Sequence, residues 1–440
     1  MIKKYLSWGR YPNYPQNPHK VYWLKEIHNE LENIRNNDVS TVLPFGNGRS
    51  YGDSCLAASD HILDLSDMNQ MIDFDRESGI VTAYAGLTLE QLINLVLPFG
   101  WYVPVSPGTR YVTLGGAVAN DVHGKNHHRM GTFGCHVKEL KLYRSDRGHL
   151  SCNQDHNEEL FNSTIGGLGL TGVITTVTLQ LIRVHSSNIN QRTIKFKNID
   201  EFFQLSELYD EKYEYSVAWV DCLSNGSNKG RGHYIFGNHA EDNIYNKLTS
   251  PSLDMKYNLK YSLVNKLSLK IFNSIYYNRQ IKKDVTKSVN LESFFYPLDK
   301  ILNWNKMYGN KGFQQYQCVI PNENACIAIK EILKIISSYK SGSFLAVLKN
   351  FGKIKSPGLL SFPIHGVSLA LDFPMSDKKI INLFKRLDQV VYEYKGKLYP
   401  AKDAHMDPIF FKSSFQEWER VEKMRDPMLL SRFWSRVTQE

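Results

Sequence analysis

The chain of 440 residues lacks any apolar run of about 18 residues, so no stretch reads as a bilayer-spanning helix. Its opening residues, MIKKYLSWGRYP, carry two lysines with no apolar stretch behind them and are not expected to act as a secretory leader. Six cysteines (Cys55, Cys135, Cys152, Cys222, Cys318, Cys326) contain no C-x-x-C pair. That spacing argues against a zinc ribbon and against a disulfide scaffold, and fits a reducing compartment. No H-E-x-x-H pattern, internal repeat or low-complexity tract occurs. What remains is an ordinary globular composition, 42% hydrophobic and 22% charged, long enough for about two domains.

A net charge of +9 favours anionic partners. A mildly basic soluble enzyme, a phosphate-bearing ligand and an anionic membrane surface all fit it; a nucleic-acid partner is not expected. One segment sharpens the choice. Residues 256–283 read KYNLKYSLVNKLSLKIFNSIYYNRQIKK, lysines interleaved with Leu, Ile, Phe and Tyr. This mixture suits an element lying on anionic lipid, and equally a lysine-edged helix packed on its own core.

Residues 60–183 show α+β punctuation. Met71–Phe74 and Ile80–Ala85 alternate apolar and polar residues around a turn at Glu77-Ser78-Gly79, the pattern of a β-hairpin. Thr88 followed by Gln91 forms a capping box that opens a helix through Leu89, Leu92, Ile93 and Val96. Gly172–Val184 is a β-branched run read as one long strand. From 184 to 396 the texture changes to Tyr-, Phe- and Lys-rich segments broken by polar linkers such as SNGSNKGRG, read as a second domain with a mobile loop. A charged C-terminal stretch, 413–424, reads as helix.

Three glycine-bearing stretches carry the chemistry. FGNGRSYGDS (45–54) can present successive backbone N–H groups as a nest for phosphate oxygens. PVSPGTRYVTLGGAVANDVHGKNHHRMGTFG (104–134) joins a Pro-Gly turn and a Gly115-Gly116 pair to small residues, against which an extended cofactor can lie. IGGLGLTG (165–172) contains G-x-G-x-x-G at Gly167, Gly169 and Gly172. That fingerprint has meaning only between a strand and a following helix, and here a strand follows, so a Rossmann site is not expected. His123, His127, His128 and His136 share their loop with Asp121 as its carboxylate, too thin a donor set for a metal; no metal is expected.

With these motifs the sequence resembles the vanillyl-alcohol-oxidase-type FAD-binding oxidoreductases, and within them the branch of decaprenylphosphoryl-ribose 2-oxidases. The resemblance covers nearly the whole chain, through FYPLDKILNWNKMYGNKGFQQYQCVIP, LLSFPIHGVSLALDFP and GKLYPAKDAH in its second half. It implies an α+β, two-domain PCMH-type fold. The FAD domain would comprise 1–183, completed by a C-terminal segment 397–440, and an antiparallel-sheet substrate domain would fill 184–396. The cofactor positions it implies are Gly46, Asn47, Gly48, Arg49, Ser50, Tyr51, Gly52 and Ser54 in the first loop, then Pro107, Gly108, Thr109, Thr113, Gly115, Gly116, Ala119 and Asn120. Further along are Gly124, Asn126, Thr132, Cys135, Gly172, Ile174 and Lys402. Many relatives attach FAD through a histidine in the first loop; Ser50 stands at that place here and cannot make the bond, so FAD is expected to be held non-covalently.

The implied reaction is oxidation of a sugar secondary alcohol by hydride transfer to FAD, on a polyprenyl-phospho-sugar, as the first half of a 2-epimerisation completed by an NAD(P)H-dependent short-chain reductase. A soluble sugar, alditol or aldonolactone oxidase returning electrons to O₂ is the alternative. A cytoplasmic location, with peripheral contact at the inner membrane surface, goes with the first. Lys402 is the first candidate for the proton acceptor, because a desolvated lysine has its pKa lowered towards neutrality. Tyr51 and His123 follow. Gln315, Gln317, Lys349, Ser368, Ala370 and Tyr308 are the implied substrate positions. Three departures stand out from the branch pattern: Ala370 in place of a cysteine, Ser368 in place of an asparagine, and Phe295 in place of a tyrosine, with Tyr296 next.

Overall fold

A computed structural model describes residues 5–249, 251, 253–339, 341–375 and 378–439. Two antiparallel sheets organise it. The first has five strands in the spatial order Met71–Phe74, Ile80–Tyr84, Val173–Gln180, Val137–Arg144 and Gly148–Cys152. The hairpin expected at 71–85 is its edge, with Met71 paired to Ala83. The Thr88 capping box is also present: Gln91 N–H donates to Thr88 Oγ1 at 3.2 Å, and Thr88 N–H to Gln91 Oε1 at 2.9 Å. It opens the Leu89–Val96 helix, whose Leu89, Leu92, Ile93 and Val96 are buried. The 172–184 run is two strands rather than one, Val173–Gln180 and Ile182–Arg183, the second pairing instead with Trp101–Tyr102.

The second sheet has eight strands. Asp284–Asn290 forms one edge, followed by Asn188–Phe196, Gly232–His239, Tyr215–Val220, Val347–Phe351, Gly366–Pro374, Phe313–Pro321 and Lys397–Leu398. Side chains alternate between its faces. Tyr316, Cys318, Leu369 and Leu371 turn to one side and join the apolar cluster that includes the Ile199–Tyr209, Ala325–Tyr339 and Lys379–Glu393 helices. Residues one position away in sequence turn to the other side, and that side faces the first sheet's loops.

Chain order and architecture part company at the ends. Lys397–Leu398 is still a strand of the second sheet, paired with Cys318 and Val319. Beyond it the chain returns to the N-terminal region: Val42 bridges Leu429 and Ala57 bridges Ser431. The 413–424 stretch is split between the helices Pro408–Ser414 and Trp418–Met424. Among the described residues no helix is long and apolar enough to cross a membrane.

Candidate active site

A cavity of about 720 Å³ lies between the glycine loops and the open face of the eight-stranded sheet. That is the size class of a pocket for a large organic ligand. The loop wall comes from Gly46–Tyr51, Ser54, Pro107–Thr109, Thr113, Gly115, Gly116, Ala119, Asn120, Gly172 and Ile174. Local chemistry shapes it. Thr113 caps the short Leu114–Ala119 helix by accepting from Gly116 N–H at 3.2 Å. A side chain on Gly46 would meet that same Thr113 Oγ1 at 2.4 Å, so loop and helix touch without room for a Cβ. At Gly108 and Gly169, by contrast, an added Cβ meets nothing within 4 Å; these glycines leave space in the cavity itself.

The G-x-G-x-x-G stretch follows the Glu158–Thr164 helix and precedes the Val173–Gln180 strand, the reverse of a dinucleotide-binding turn. The loop histidines pack rather than converge. His128 Nε2 lies 3.0 Å from Tyr213 O, and His136 Nε2 2.8 Å from Met130 O. His127 Nδ1 accepts from Gly352 N–H at 3.1 Å.

The sheet wall is built by register. Gln315 pairs with Asp372, Gln317 with Ala370, and Lys349 with Ser368, so these residues share one face and all six line the cavity. Gln317 Nε2 donates to Ser368 Oγ at 3.2 Å and to His123 Nε2 at 3.0 Å. With Nε2 accepting, the His123 proton sits on Nδ1. Burial first, then the neighbouring Lys349, His127 and Lys402 charges, hold His123 well below the ordinary histidine range, so it stays neutral.

Lys402 completes this wall from the turn after Tyr399, where its N–H donates to Tyr399 O at 2.9 Å. Its ammonium lies 3.5 Å above the Tyr51 ring centroid. Desolvation lowers its pKa to about 7, with Asp372 pulling the other way and Lys349 adding to the fall. Asp372 is fully buried. It accepts from Gln315 Nε2 at 2.7 Å and from Tyr308 Oη at 3.3 Å, and burial raises its pKa to about 6. Behind the turn, His405 sits between Asp403 at 3.0 Å and Asp388 at 3.2 Å. Burial opposes its charge, yet the two carboxylates raise it to about 10, so a fixed ionic cluster anchors the Lys402 backbone.

Six expected residues lie away from the cavity wall, and each has a packing role. Gly52 presses on Asp403 O, where a Cβ would come within 1.6 Å. Gly124 lies against Ser106 O, and Asn126 Nδ2 donates to Pro104 O at 2.8 Å. Thr132 Oγ1 is 3.5 Å from Cys135 Sγ, which is itself 3.8 Å from Lys355 O. Tyr308 is a core residue stacked on Phe313 at 4.2 Å; it reaches the site only through Asp372.

Conversely, Lys125, Asp372, Asp299, Trp219, Tyr276 and Arg279 line the cavity without having been singled out by sequence. Asp372 stands two residues after Ala370 in SLALDFP, and Lys125 inside HGKNHH; strand alternation would have flagged the first. Asp299 accepts from Arg110 N–H at 2.9 Å and from Thr109 Oγ1 at 3.1 Å, tying the Pro107–Thr109 turn to the second half of the chain.

The comparisons with known proteins agree with this architecture. An FAD-binding domain family matches residues 25–152. The decaprenylphosphoryl-β-D-ribose oxidase of Mycolicibacterium smegmatis is 35% identical over 404 residues, 88% of this chain and 86% of that protein. The chain belongs to the PCMH-type FAD-dependent oxidoreductases. An uncharacterised Streptomyces coelicolor protein is 30% identical across 73% of this chain and 90% of its own length. Mouse L-gulonolactone oxidase is 29% identical, but over only 40% of this chain and 39% of itself.

As a family member the chain is an FAD-dependent oxidoreductase acting on CH–OH groups. The cavity fits that cofactor on its own geometry. Arg49 Nε and Ser54 Oγ on the loop wall are buried with no hydrogen-bond partner among the described residues. Buried polar atoms of this kind call for a polar ligand. The Arg49 guanidinium is held 4.2 Å over Trp8 and 5.0 Å over Tyr111, a fixed cation beside the nest.

Proposed function

We propose that the enzyme oxidises a secondary hydroxyl of a polyprenyl-phospho-sugar, such as decaprenylphosphoryl-ribose, to a ketone. Non-covalent FAD supplies the hydride acceptor when bound. The carbinol carbon gives up its hydrogen with the electron pair, and the hydroxyl proton passes to neutral Lys402 Nζ as the carbonyl forms. Lys402 is suited to this because its pKa, about 7, leaves a large neutral fraction at physiological pH. Gln315 and Asp372 hold the acceptor side, while Gln317 links His123 to Ser368 and presents an amide to the sugar hydroxyls. Lys349, whose pKa burial lowers only to about 8, offers positive charge for the phosphate.

The observation that carries the reading is the register itself, which sets Gln315, Gln317, Lys349 and Asp372 on one wall with Lys402, opposite the glycine loops. Non-covalent attachment is supported by Ser50, which lines the cavity, and by the Cys55 thiol beside it, which burial pushes up to about 12 and so leaves unreactive. The ketone product suits an NAD(P)H-dependent short-chain reductase partner that returns a hydride to the opposite face. Anaerobic mixing with a polyprenyl-phospho-pentose tests the proposal. Bleaching of the flavin absorbance is expected, and the flavin should leave the chain on denaturation. Bleaching by free sugars or aldonolactones alone, with peroxide formed in air, would overturn it.

A further inference from the structure

The Lys266–Asn278 helix turns the wrong residues outward for a helix in water. Leu269 and Asn273 are its buried positions, Asn273 donating to Asp221 Oδ1 at 2.9 Å. On the opposite face Leu267, Ile271 and Ile275, spaced by four, form one stripe exposed at 68%, 51% and 65%. Tyr257, Tyr261 and Leu263, before the helix in sequence, and Ile281 after it are exposed as well. Contiguous exposed apolar surface of this kind marks an interaction site.

Its charge names the partner. Residues 256–283 hold six lysines, one arginine and no carboxylate, against a net charge of +9 for the whole chain. Lys283 is spent on Glu201 at 2.6 Å; Lys256, Lys260, Lys266, Lys270 and Lys282 are exposed with no ion pair to a carboxylate among the described residues. Apolar side chains framed by lysines suit the interface of an anionic bilayer, where acyl chains take the former and lipid phosphates the latter.

The surface is also packed on the core and continuous with the cavity. Val264 and Leu269 pack with Trp304, Tyr308 and Phe313, the cluster whose Tyr308 bonds Asp372. Tyr276 and Arg279, at the end of the helix, line the cavity. We infer that this face seats on an anionic membrane surface and opens the cavity to the headgroup layer. It thereby admits the sugar phosphate while the polyprenyl tail stays in lipid. The inference rests on the proposed lipid-linked substrate for its purpose, and its evidence is separate.

The test is sedimentation of the FAD-loaded enzyme with vesicles, without substrate. Binding is expected to phosphatidylcholine vesicles containing roughly a third phosphatidylglycerol, and to fall about tenfold with phosphatidylcholine alone or in high salt. L267S/I271S/I275S and, separately, K266E/K270E should each weaken binding about tenfold. Both should keep the bound-flavin spectrum and reduction by a short-chain soluble substrate analogue. Absence of vesicle binding, or binding unchanged in both variants, overturns the inference. A dimer of the native chain that these substitutions split, with no vesicle binding, assigns the face to a second copy and overturns it too. Vesicle binding without flavin reduction by any polyprenyl-phospho-sugar would sink the proposed substrate and leave the membrane surface standing.

Discussion

The two walls of the cavity are made by opposite means. The loop wall works with backbone: glycines and small residues, turns pinned by Thr113 and Asp299, and few side chains that do chemistry. The sheet wall works with side chains, each aimed by strand alternation and register. Backbone recognition suits a cofactor whose shape does not vary, because every N–H is fixed by the fold. Side-chain recognition suits a substrate that varies between relatives, because single residues change without moving the strand. The lactone oxidase match covers 40% of the chain, whereas the decaprenylphosphoryl-ribose oxidase match covers 88%.

The largest expected effect comes from breaking the loop wall alone. At Gly108 an added Cβ meets no protein atom within 4 Å. Gly108→Leu should therefore fold with an unchanged apoprotein melting temperature and purify without FAD. A variant that keeps a full complement of flavin would show that the cofactor does not run along this turn. Breaking the sheet wall should do the reverse. Lys402→Met should retain FAD but reduce flavin about 10³-fold more slowly in an anaerobic stopped-flow experiment, the size expected for loss of a positioned base. If its rate stays within about threefold of the parent, Lys402 is not the base.

How much of this was legible follows the same division. Loop motifs are contiguous in sequence, so FGNGRSYGDS and the 104–134 stretch announce one wall of the cavity by their residues alone. Gly52, Gly124, Asn126, Thr132 and Cys135 lie outside the cavity lining and pack within the protein, Asn126 on Pro104 O and Thr132 on Cys135. Sheet residues are scattered, and their convergence depends on register, which one strand's sequence does not specify. Asp372 shows the cost. It lies inside SLALDFP, yet its pairing with Gln315 across the Phe313–Pro321 strand appears only when the strands are paired. The 256–283 segment suits lipid and core equally by sequence; which of its apolar residues are buried (Leu269) and which exposed (Leu267 and Ile275) appears only in the structure.

Within the sheet wall, Asp372 sets the strength of Lys402 rather than replacing it. The rate of flavin reduction should rise with pH through about 7, where Lys402 loses its proton, and then level off. The Asp372 charge raises the Lys402 pKa. Its removal in Asp372→Asn should thus move the midpoint to lower pH, and the weaker base should lower the plateau about tenfold. A midpoint that stays put in this variant would mean that the titrating group is not coupled to Asp372. A midpoint that rises would contradict the sign of the interaction.

The smallest effect is expected at Ala370, where the resemblance implies a cysteine. Ala370 lines the cavity between Gln317 and Val347 in the strand pairing, and its one-carbon side chain carries no proton and no nucleophile. The proposed proton acceptor is Lys402, whose pKa Asp372 tunes. Ala370→Cys adds a single sulfur to a cavity wall, so turnover should stay within about twofold, as for substitutions away from buried unpaired groups. The variant should, however, gain one adduct by mass spectrometry with a cysteine-directed reagent small enough to enter. The native chain should gain none at this site, where alanine carries no thiol, and the Cys55 thiol on the opposite wall is pushed up to about 12 by burial. A tenfold rise in turnover on restoring the thiol would show instead that the sheet wall lacks a chemical group here, and that side chains on this wall carry one more catalytic position than Lys402 and its partners supply.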